Sequence, residues 1–417
     1  MNAEIISIGD ELLIGQVINS NQAVIAEKLA SVGIRVARMS TVGDSVPEIL
    51  TTLAEAWKRA QVLIITGGLG PTHDDLTREA VCQFFQSDLV LNPEALEHIR
   101  TLFASRGLPV TKNNEDQAYV PRGCSVIQNL HGTAPGYFFQ RDDRSMAVLP
   151  GVPYEMKEMM ETFVIPHFSR KGTGMVIRSK TLRTTGIAES LLAQQIGDIS
   201  VLFEKDSGVT LAFLPSPTGV RLRISAGAPS LREAERRIAY VEQKIRQKVQ
   251  KYIYGENNEE LEEVVGRILA SRQMTIAVAE SCTGGILTDR ITNISGSSRY
   301  FERGFIVYSN ESKSTELGVP AEVIVAHGAV SKEVCEAMAR GAREKAHTDI
   351  GISTTGIAGP TGGTEEKPVG LVWIGYSDKG KTLALRFNFG NDRRRFKERA
   401  SQAALELVRR MLLKIDS

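Results

Sequence analysis

The sequence predicts an α/β protein in which two three-layer α/β domains are joined by a small α/β module. The chain has 417 residues, and at about 150 residues per domain it is long enough for two or three separate cores. Short β-rich runs alternate with amphipathic helical stretches before residue 170 and again after residue 254, as in sheets covered by helices. Polar breaks at 169–174 and 254–260 divide the chain into domains 1–170, 171–254 and 255–417.

Composition argues against several classes of protein. The chain has 50 Lys and Arg against 49 Asp and Glu, a net charge of +1. This near-balance argues against electrostatic binding of nucleic acid or an anionic membrane by the chain as a whole. The chain has no basic leader, and no run approaches the roughly 18 apolar residues of a membrane span. We therefore expect a cytoplasmic protein with no membrane partner. Four scattered cysteines and six isolated histidines form no CxxC or HExxH zinc motif.

The elements are predicted in order along the chain. The N-terminal part should form a parallel sheet covered on both faces, with strands at 4–8, 36–42, 62–65 and 147–149 and helices at 22–30, 46–59 and 75–85. The middle part should contain a strand, a helix, two strands and, from apolar spacings of three and four, a long helix at 231–252. The C-terminal part should contain a helix at 261–270, strands at 275–279, 305–308, 350–354, 370–376 and 382–389, and a closing helix at 396–413.

A glycine-rich loop after the third predicted strand is a candidate anion site. Gly67, Gly68 and Gly70 would let backbone N–H groups approach a phosphate, and the next helix would present its positive end. Asp74 and Asp75 at that helix start would repel a bare phosphate, so a divalent cation bridging carboxylate and phosphate oxygens completes the site. The alternative is a plain glycine turn with an aspartate helix cap.

Other polar residues are expected beside this loop. Asp10 and Glu11 follow the first strand, so they lie at the same sheet edge if the strands are parallel. The turns at 132–136 and 149–153 add backbone-shaping positions. Further polar side chains come from Asn113, Asn114 and Gln117.

The C-terminal part offers two candidate nucleophiles. Ser281 and Cys282 follow a strand and open a helix, where unpaired helix N–H groups would stabilise negative charge. Catalytic cysteines usually pair with histidine, and neither His327 nor His347 has a position that directs it there. Lys313 could serve a serine as base, because a buried lysine can lose its proton near neutral pH. Taken alone, the serine could equally be a helix cap, and a lone lysine is far more often an exposed surface residue.

Two further features point to phosphate or amide chemistry. The glycine-rich loop 354–363 follows a strand, and its N–H groups can line an oxyanion or phosphate pocket. Arg393 and Arg399 lie at and just inside the start of the last helix and could make bidentate phosphate contacts. The alternative is that both arginines are solvated.

These motifs carry a resemblance to a known family. GDELL, TGGLGPTHDDLT, NLHGTAPG and LPGVP, in this order, resemble the molybdopterin-binding-type domain that opens the CinA (competence/damage-inducible protein A) family. AESCTGG, YSNESK, TTGIAGPTGG, EEKPVG and the last helix resemble the nicotinamide-nucleotide amidase domain that forms its C-terminal half. The middle part resembles a KH-type α/β module, so the resemblance covers essentially the whole chain.

For the N-terminal domain, the resemblance implies a metal-dependent ADP-ribose pyrophosphatase that forms AMP and ribose 5-phosphate. The implied substrate-binding residues are Gly67, Gly68, Gly70 and Thr72. The implied ligands of the divalent cation, which is Mg, Mn or Co, are Asp10, Asp74 and Asp75.

For the C-terminal domain, the resemblance implies hydrolysis of nicotinamide mononucleotide to nicotinic acid mononucleotide and ammonia, without a cofactor. The implied catalytic residues are Ser281 as nucleophile, Lys313 as base with Tyr308 beside it, and Thr355 and Gly356 lining the site. The implied substrate contacts are Asn310, Gly359, and Arg393 or Arg399. The choice of arginine stays open, because this chain inserts Asn391 where the family often has Gly-Asp-Arg.

The expected partners are the two nucleotides and, by family resemblance, a second copy of the chain in a homodimer. One rival function is a non-enzymatic role in competence or DNA damage, in which the basic helix 231–252 contacts nucleic acid. No GxxG clamp or aromatic surface accompanies that helix, so we favour a solvated amphipathic face and expect no nucleic-acid partner. A second rival is a pterin-nucleotide binder.

Overall fold

The computed structural model describes residues 1–171, 176–203 and 208–415, with the side chains of residues 170, 171 and 200 left aside. The predicted break at 169–174 includes residues 172–174, which lie outside the described residues. Two compact units are formed, Met1–Arg178 with Ala226–Arg237, and Ser179–Ser225 with Ile238–Ser417. Within the described parts of the chain, no helix combines the length and the apolar character needed to cross a membrane.

The N-terminal domain alternates strands and helices as its sequence pattern predicts. Its strands are β1 (Asn2–Ile8), β2 (Arg35–Val42), β3 (Val62–Thr66), β4 (Leu89–Leu91), β5 (Tyr119–Pro121), β6 (Ser125–Ile127), β7 (Gly136–Arg141) and β8 (Arg144–Leu149). Its helices are α1 (Asp10–Leu13), α2 (Ser20–Ser31), α3 (Val46–Arg59), α4 (Thr77–Phe85), α5 (Pro93–Ser105), α6 (Lys112–Asp116), α7 (Pro153–Met159) and α8 (Ile165–Lys171). A π-helical turn, Met160–Val164, joins the last two helices.

Six of these strands form one sheet in the order β2-β1-β3-β8-β7-β6. Strands β2, β1, β3 and β8 are parallel, whereas β7 is antiparallel to β8 and β6 to β7. The prediction of a parallel sheet is therefore wrong at this edge. A two-residue turn joins β7 to β8, with Asp142 at φ 56°, and so short a turn can connect only antiparallel strands.

Alternation along the strands builds two cores on opposite faces of this sheet. Ile6 and Ile65 pack with α3 and α4 on one face, while Ile5 and Ile64 pack with α2 and α7 on the other. The domain therefore has three layers, as predicted.

The middle module contains β9 (Val176–Thr184), α9 (Glu189–Ile196), β10 (Val209–Ser216), β11 (Gly219–Ala228), α10 (Leu231–Val249) and β12 (Ile253–Glu256). Its sheet has the order β10-β11-β9-β12. Strand β12, which the sequence analysis did not identify, pairs antiparallel with β9 and spans the predicted domain boundary at residue 254. On α10, Arg236 and Arg237 pair with Glu233, and Arg246 pairs with Glu242.

The C-terminal domain is a second three-layer α/β fold. Its strands are β13 (Ile276–Glu280), β14 (Phe301–Ile306), β15 (Ile350–Gly356), β16 (Leu371–Ser377) and β17 (Thr382–Asn388). Its helices are α11 (Leu261–Ser271), α12 (Ile286–Thr292), α13 (Asn310–Leu317), α14 (Ala321–His327), α15 (Lys332–Lys345) and α16 (Arg393–Leu413). The sheet order is β14-β13-β15-β16-β17, and the first three strands are parallel, so β13 and β15 end at one edge.

Two predicted boundaries in the site regions were wrong. Helix α4 begins at Thr77 instead of residue 75, because the Thr77 N–H turns back to Gly68 O at 3.2 Å. Asp74 and Asp75 consequently lie in the preceding loop. Strand β14 ends at Ile306, so Tyr308 follows the strand rather than ending it.

Replacing Gly67 by alanine should destabilise the N-terminal unit more than the matched change Gly107→Ala. Both glycines have positive φ, 111° for Gly67 and 65° for Gly107. A methyl group at Gly67 would lie 2.1 Å from Ile8 O, whereas one at Gly107 would have none of the described heavy atoms within 4 Å. The left-handed backbone costs about 1–2 kcal/mol in each variant, and the clash adds about 1–3 kcal/mol. Urea unfolding of the two variants measures the difference, and equal losses would contradict it.

Candidate functional sites

The glycine-rich loop borders a cavity of about 340 Å³ in the N-terminal domain. Gly67, Gly68 and Gly70 all line this cavity. The backbone of Gly67 packs directly on Ile8 O at the end of β1. The ends of β1 and β3 therefore meet at one sheet edge, as the sequence predicts.

Negative charge dominates the wall of this N-terminal cavity. Of the described residues that line it, none is Lys, Arg or His, and five are carboxylates: Glu11, Asp44, Asp74, Asp75 and Glu155. Burial raises the pKa of Asp44, and repulsion from the neighbouring carboxylates of Asp10, Glu11 and Asp74 raises it further. An anionic ligand would therefore need a cation to enter.

Two predicted residues, Asp10 and Thr72, form hydrogen bonds with carboxylates of the cavity. The Asp10 N–H donates to Asp44 Oδ2 at 2.9 Å, and the Asp44 N–H donates to Asp10 Oδ1 at 3.3 Å. Thr72 is exposed, and its N–H donates to Asp75 Oδ2 at 2.9 Å while its hydroxyl donates to the same oxygen. Asp10 thus orients Asp44, and Thr72 orients Asp75.

The carboxylates fit a cation that takes its remaining ligands from its substrate. In the described residues, no group of three or more His, Cys, Asp or Glu side chains is arranged to hold a metal ion. Mg²⁺ often uses one or two carboxylates and takes its other ligands from water and substrate phosphates, and oxygen ligands suit Mg and Mn. Asp75 lies directly against the glycine-rich loop, since its Oδ2 is 2.5 Å from where a methyl group on Gly70 would be.

In the C-terminal domain, the structure brings Ser281 and Lys313 together. Ser281 follows β13 directly, and its N–H donates to Thr354 O at 3.0 Å. Lys313 lies in the first turn of α13 and is only 1% exposed. Its Nζ is 3.2 Å from Ser281 Oγ. A serine and a buried amine within hydrogen-bond distance are the parts of a serine nucleophile with a lysine base.

Burial favours the neutral form of the Lys313 amine. Its Nζ also lies within hydrogen-bond distance of the carbonyl oxygens of Val307, Tyr308 and Ser309, at 2.9, 3.2 and 3.3 Å. Burial lowers the pKa of Lys313. A neutral amine can donate its two N–H groups to carbonyls and use its lone pair to accept the Ser281 hydroxyl.

Cys282 has the opposite character. Its side chain is 5% exposed, and burial raises the pKa of its thiol to about 12. The thiolate needed for nucleophilic attack is therefore disfavoured. Of the two nucleophiles that the sequence left open, the geometry favours Ser281.

Arg393 joins three of the predicted motifs. Its Nη1 donates to Gly359 O at 3.0 Å in the second glycine-rich loop, and its Nη2 donates to Tyr308 Oη at 3.1 Å. Arg399 instead donates to Phe389 O at 3.4 Å. Between the two arginines, the structure thus favours Arg393 as the one beside the other candidate residues.

The remaining predicted residues shape this edge. Thr355 is buried, and its hydroxyl donates to Ala329 O at 2.8 Å. A methyl group at Gly356 would lie 2.6 Å from Leu371 O, so the close approach of β16 requires glycine there. Asn310 begins α13 and is exposed.

Three family models match the chain in succession. The probable molybdopterin binding domain matches residues 4–170, the damage-inducible protein CinA KH domain matches 179–255, and the CinA C-terminal domain matches 258–412. A putative competence-damage inducible protein of Caldicellulosiruptor saccharolyticus is 45% identical over 413 residues, which covers 99% of this chain and 100% of that protein. The chain belongs to the CinA family.

Other CinA relatives agree over the same length. A CinA-like protein of Chloroherpeton thalassium is 46% identical over 420 residues, covering 99% of each chain. Among solved structures, a competence/damage inducible protein from Agrobacterium tumefaciens is 34% identical and covers 38% of this chain and 98% of its own, with a TM-score of 0.35.

The sequence analysis missed one buried residue of the CinA C-terminal domain. Glu280 is fully buried, and its carboxylate accepts the N–H groups of Gly285, Leu287 and Thr288 at 2.9, 3.1 and 2.8 Å. The expectation that helix N–H groups beside Ser281 are unpaired is therefore wrong for these three groups. A glutamate a few residues before a helix start is the signal that could have revealed this cap.

Two further residues were missed in the N-terminal cavity and one near Ser281. Asp44 and Glu155 line the cavity, but neither belongs to a glycine-rich motif. Lys397 lies on α16, and its Nζ is 3.3 Å from where a methyl group on Gly284 would be. Its place one turn after Arg393 is a signal that the sequence analysis did not use.

Cys282 and Cys335 should resist alkylation by iodoacetamide in the folded protein. Burial raises the pKa of each thiol to about 12, so at pH 8 only about one molecule in ten thousand carries the thiolate. Peptide mass spectrometry before and after unfolding measures this, since all four cysteines should react once unfolded. Rapid native labelling of Cys282 would indicate an activated thiol and would return it to the list of nucleophiles.

Proposed function

We propose that this CinA protein is a bifunctional hydrolase of pyridine nucleotide recycling. Its C-terminal domain would deamidate nicotinamide mononucleotide, and its N-terminal domain would hydrolyse ADP-ribose to AMP and ribose 5-phosphate. The observation that carries the first activity is the 3.2 Å contact between Lys313 Nζ and Ser281 Oγ. Both substrates are fragments of the same dinucleotide, which gives the two activities a common purpose.

The C-terminal residues support a two-step amide hydrolysis. Neutral Lys313 takes the Ser281 hydroxyl proton as Oγ attacks the carboxamide carbon, and then gives that proton to the leaving nitrogen, which departs as ammonia. Water, deprotonated by Lys313, attacks the resulting ester and releases the carboxylic acid and Ser281. The turn that follows Ser281 would supply backbone N–H groups to an oxyanion, and Gly284 in that turn is exposed.

Two cationic side chains support a phosphorylated substrate. Arg393 uses two of its five N–H donors on Gly359 and Tyr308, which leaves donors for a phosphate. The Lys397 ammonium lies beside Gly284, three residues after the nucleophile. A mononucleotide carries its amide at one end and its phosphate at the other, and this edge offers groups for both.

Ser281→Ala should lower kcat for ammonia release from nicotinamide mononucleotide by at least about a thousandfold. The matched variant Cys282→Ala should keep most of the activity, because the buried thiol takes no part. Coupled detection of ammonia, with circular dichroism as a folding check, measures both. Full activity in the serine variant would disprove the mechanism, and loss in the cysteine variant alone would reassign the nucleophile.

The pH dependence of the wild-type reaction gives a further test of the same mechanism. The base must be neutral, so the rate should rise with pH through the Lys313 pKa, which burial holds below its ordinary value of 10.5. Above that pKa the rate should level off. A rate that falls over this range would exclude lysine as the base.

The N-terminal proposal rests on the charge of the cavity. Glycine-loop N–H groups can bind phosphate oxygens, and Asp74 and Asp75 would hold the divalent cation, with Thr72 fixing the orientation of Asp75. When bound, the cation neutralises the diphosphate and polarises its phosphorus–oxygen bonds. The chain itself supplies the glycine-rich loop that would bind the phosphates and five carboxylates that line the cavity. Because these carboxylates repel a bare diphosphate, the substrate would bind together with the cation.

Asp75→Asn should reduce AMP formation from ADP-ribose by about a hundredfold or more, because it removes a charge that the cation needs. EDTA should abolish the wild-type activity, and added Mg²⁺ or Mn²⁺ should restore it. Asp143→Asn, on the exposed β7–β8 turn, is the matched control. Chromatographic detection of AMP measures all of these, and cleavage that persists in EDTA would refute the proposed role of the metal.

A further inference from the structure

Gln117 is a buried side chain of the N-terminal cavity that the proposed chemistry does not use. It follows α6 directly, lines the cavity and is only 3% exposed. Its Nε2 donates to Leu69 O in the glycine-rich loop at 3.4 Å. Within the described residues, its Oε1 has no hydrogen-bond partner.

A buried carbonyl oxygen without a donor calls for an explanation, because nearly all such groups are paired in folded proteins. Exchanging the amide oxygen and nitrogen of Gln117 would not remove the problem, since Oε1 would then face Leu69 O and place two acceptors together. The free atom is therefore an acceptor. None of the described residues donates a hydrogen bond to it.

The composition of the cavity restricts where that donor can come from. Among the described residues that line the cavity, the charged side chains are all carboxylates, and the phosphates of a diphosphate also accept hydrogen bonds at neutral pH. Because Gln117 is tied to Leu69, between Gly68 and Gly70, it flanks the proposed phosphate cradle. In a nucleoside diphosphate sugar, the donors next to the phosphates are the ribose hydroxyls.

We propose that Gln117 Oε1 accepts a hydrogen bond from a ribose hydroxyl of ADP-ribose and thereby selects a sugar diphosphate. This inference rests on the proposed pyrophosphatase function and deepens it. Gln117 is a substrate-binding residue here, and it takes no part in proton transfer.

Equilibrium binding separates this proposal from the activity itself. The probe is the ADP-ribose analogue with a methylene group between the two phosphorus atoms, titrated in the presence of Mg²⁺ into wild type, Gln117→Met and the exposed control Gln140→Met. Gln117→Met should weaken binding about tenfold, and the control should leave it unchanged. Analogues that each lack one hydroxyl of either ribose, with every ribose hydroxyl removed in turn, are titrated in parallel.

One deoxy analogue should bind to wild type about tenfold more weakly than the parent analogue does. The same deoxy analogue and the parent should bind to Gln117→Met with equal affinity. If wild type binds every analogue with the same affinity, the proposal is overturned without any variant. It is also overturned if Gln117→Met weakens the binding of every analogue, deoxy or parent, by the same factor. An analogue with inosine in place of adenosine lacks the amino group of the base. If Gln117→Met weakens the binding of every analogue except this one, the donor is on the base and the proposal is overturned. If wild type forms no AMP from ADP-ribose but the expected binding pattern appears, the pyrophosphatase fails and the role of Gln117 stands.

Discussion

The burial of one amine organises the C-terminal site. Lys313 is enclosed by three backbone carbonyls from the segment between β14 and α13, so that segment must turn inward around it. The same turn brings Tyr308 to Arg393 and keeps Ser281 Oγ beside the amine. An ammonium in this place would lose most of its hydration, and this burial is what lowers the pKa of Lys313.

The N-terminal cavity follows a different physical rule. Among the described residues that line it, the charged side chains are all acidic, and burial together with repulsion from nearby carboxylates raises the pKa of Asp44. A carboxylate cluster of this kind weakens the empty domain but gives a cation a strong reason to bind. The two sites thus differ in how they treat charge, since one buries an amine and so lowers its pKa, and the other gathers five carboxylates around one cavity.

Much of this could be predicted from the sequence because the signals were local. Strand–helix alternation gave both three-layer domains, and the glycine-rich loops marked the sheet edges where the candidate residues meet. Long-range pairing was less accessible. Strand β12 is four residues long and is stable only against β9, and the β7–β8 hairpin depends on a turn without glycine. Asp44 and Glu155 become site residues through tertiary contacts, for which a single sequence has no local pattern, whereas Gln117 was expected beside the glycine-rich loop and does line the cavity.

Helix α16 has a consequence for how far the C-terminal domain can be regarded as an independent part. It begins at Arg393 and runs for 21 residues, a rod of about 31 Å at 1.5 Å per residue. Its middle and end are anchored to the preceding module, since Gln402 Nε2 donates to Thr185 Oγ1 at 3.1 Å and Arg409 Nη2 donates to Lys251 O at 2.7 Å. A cut at residue 258 would leave these buried polar groups without their partners. In this chain, helix α16 is therefore held in part by residues outside the C-terminal domain. If that domain were transferred to another protein, the side chains of Gln402 and Arg409 would need other hydrogen-bond partners.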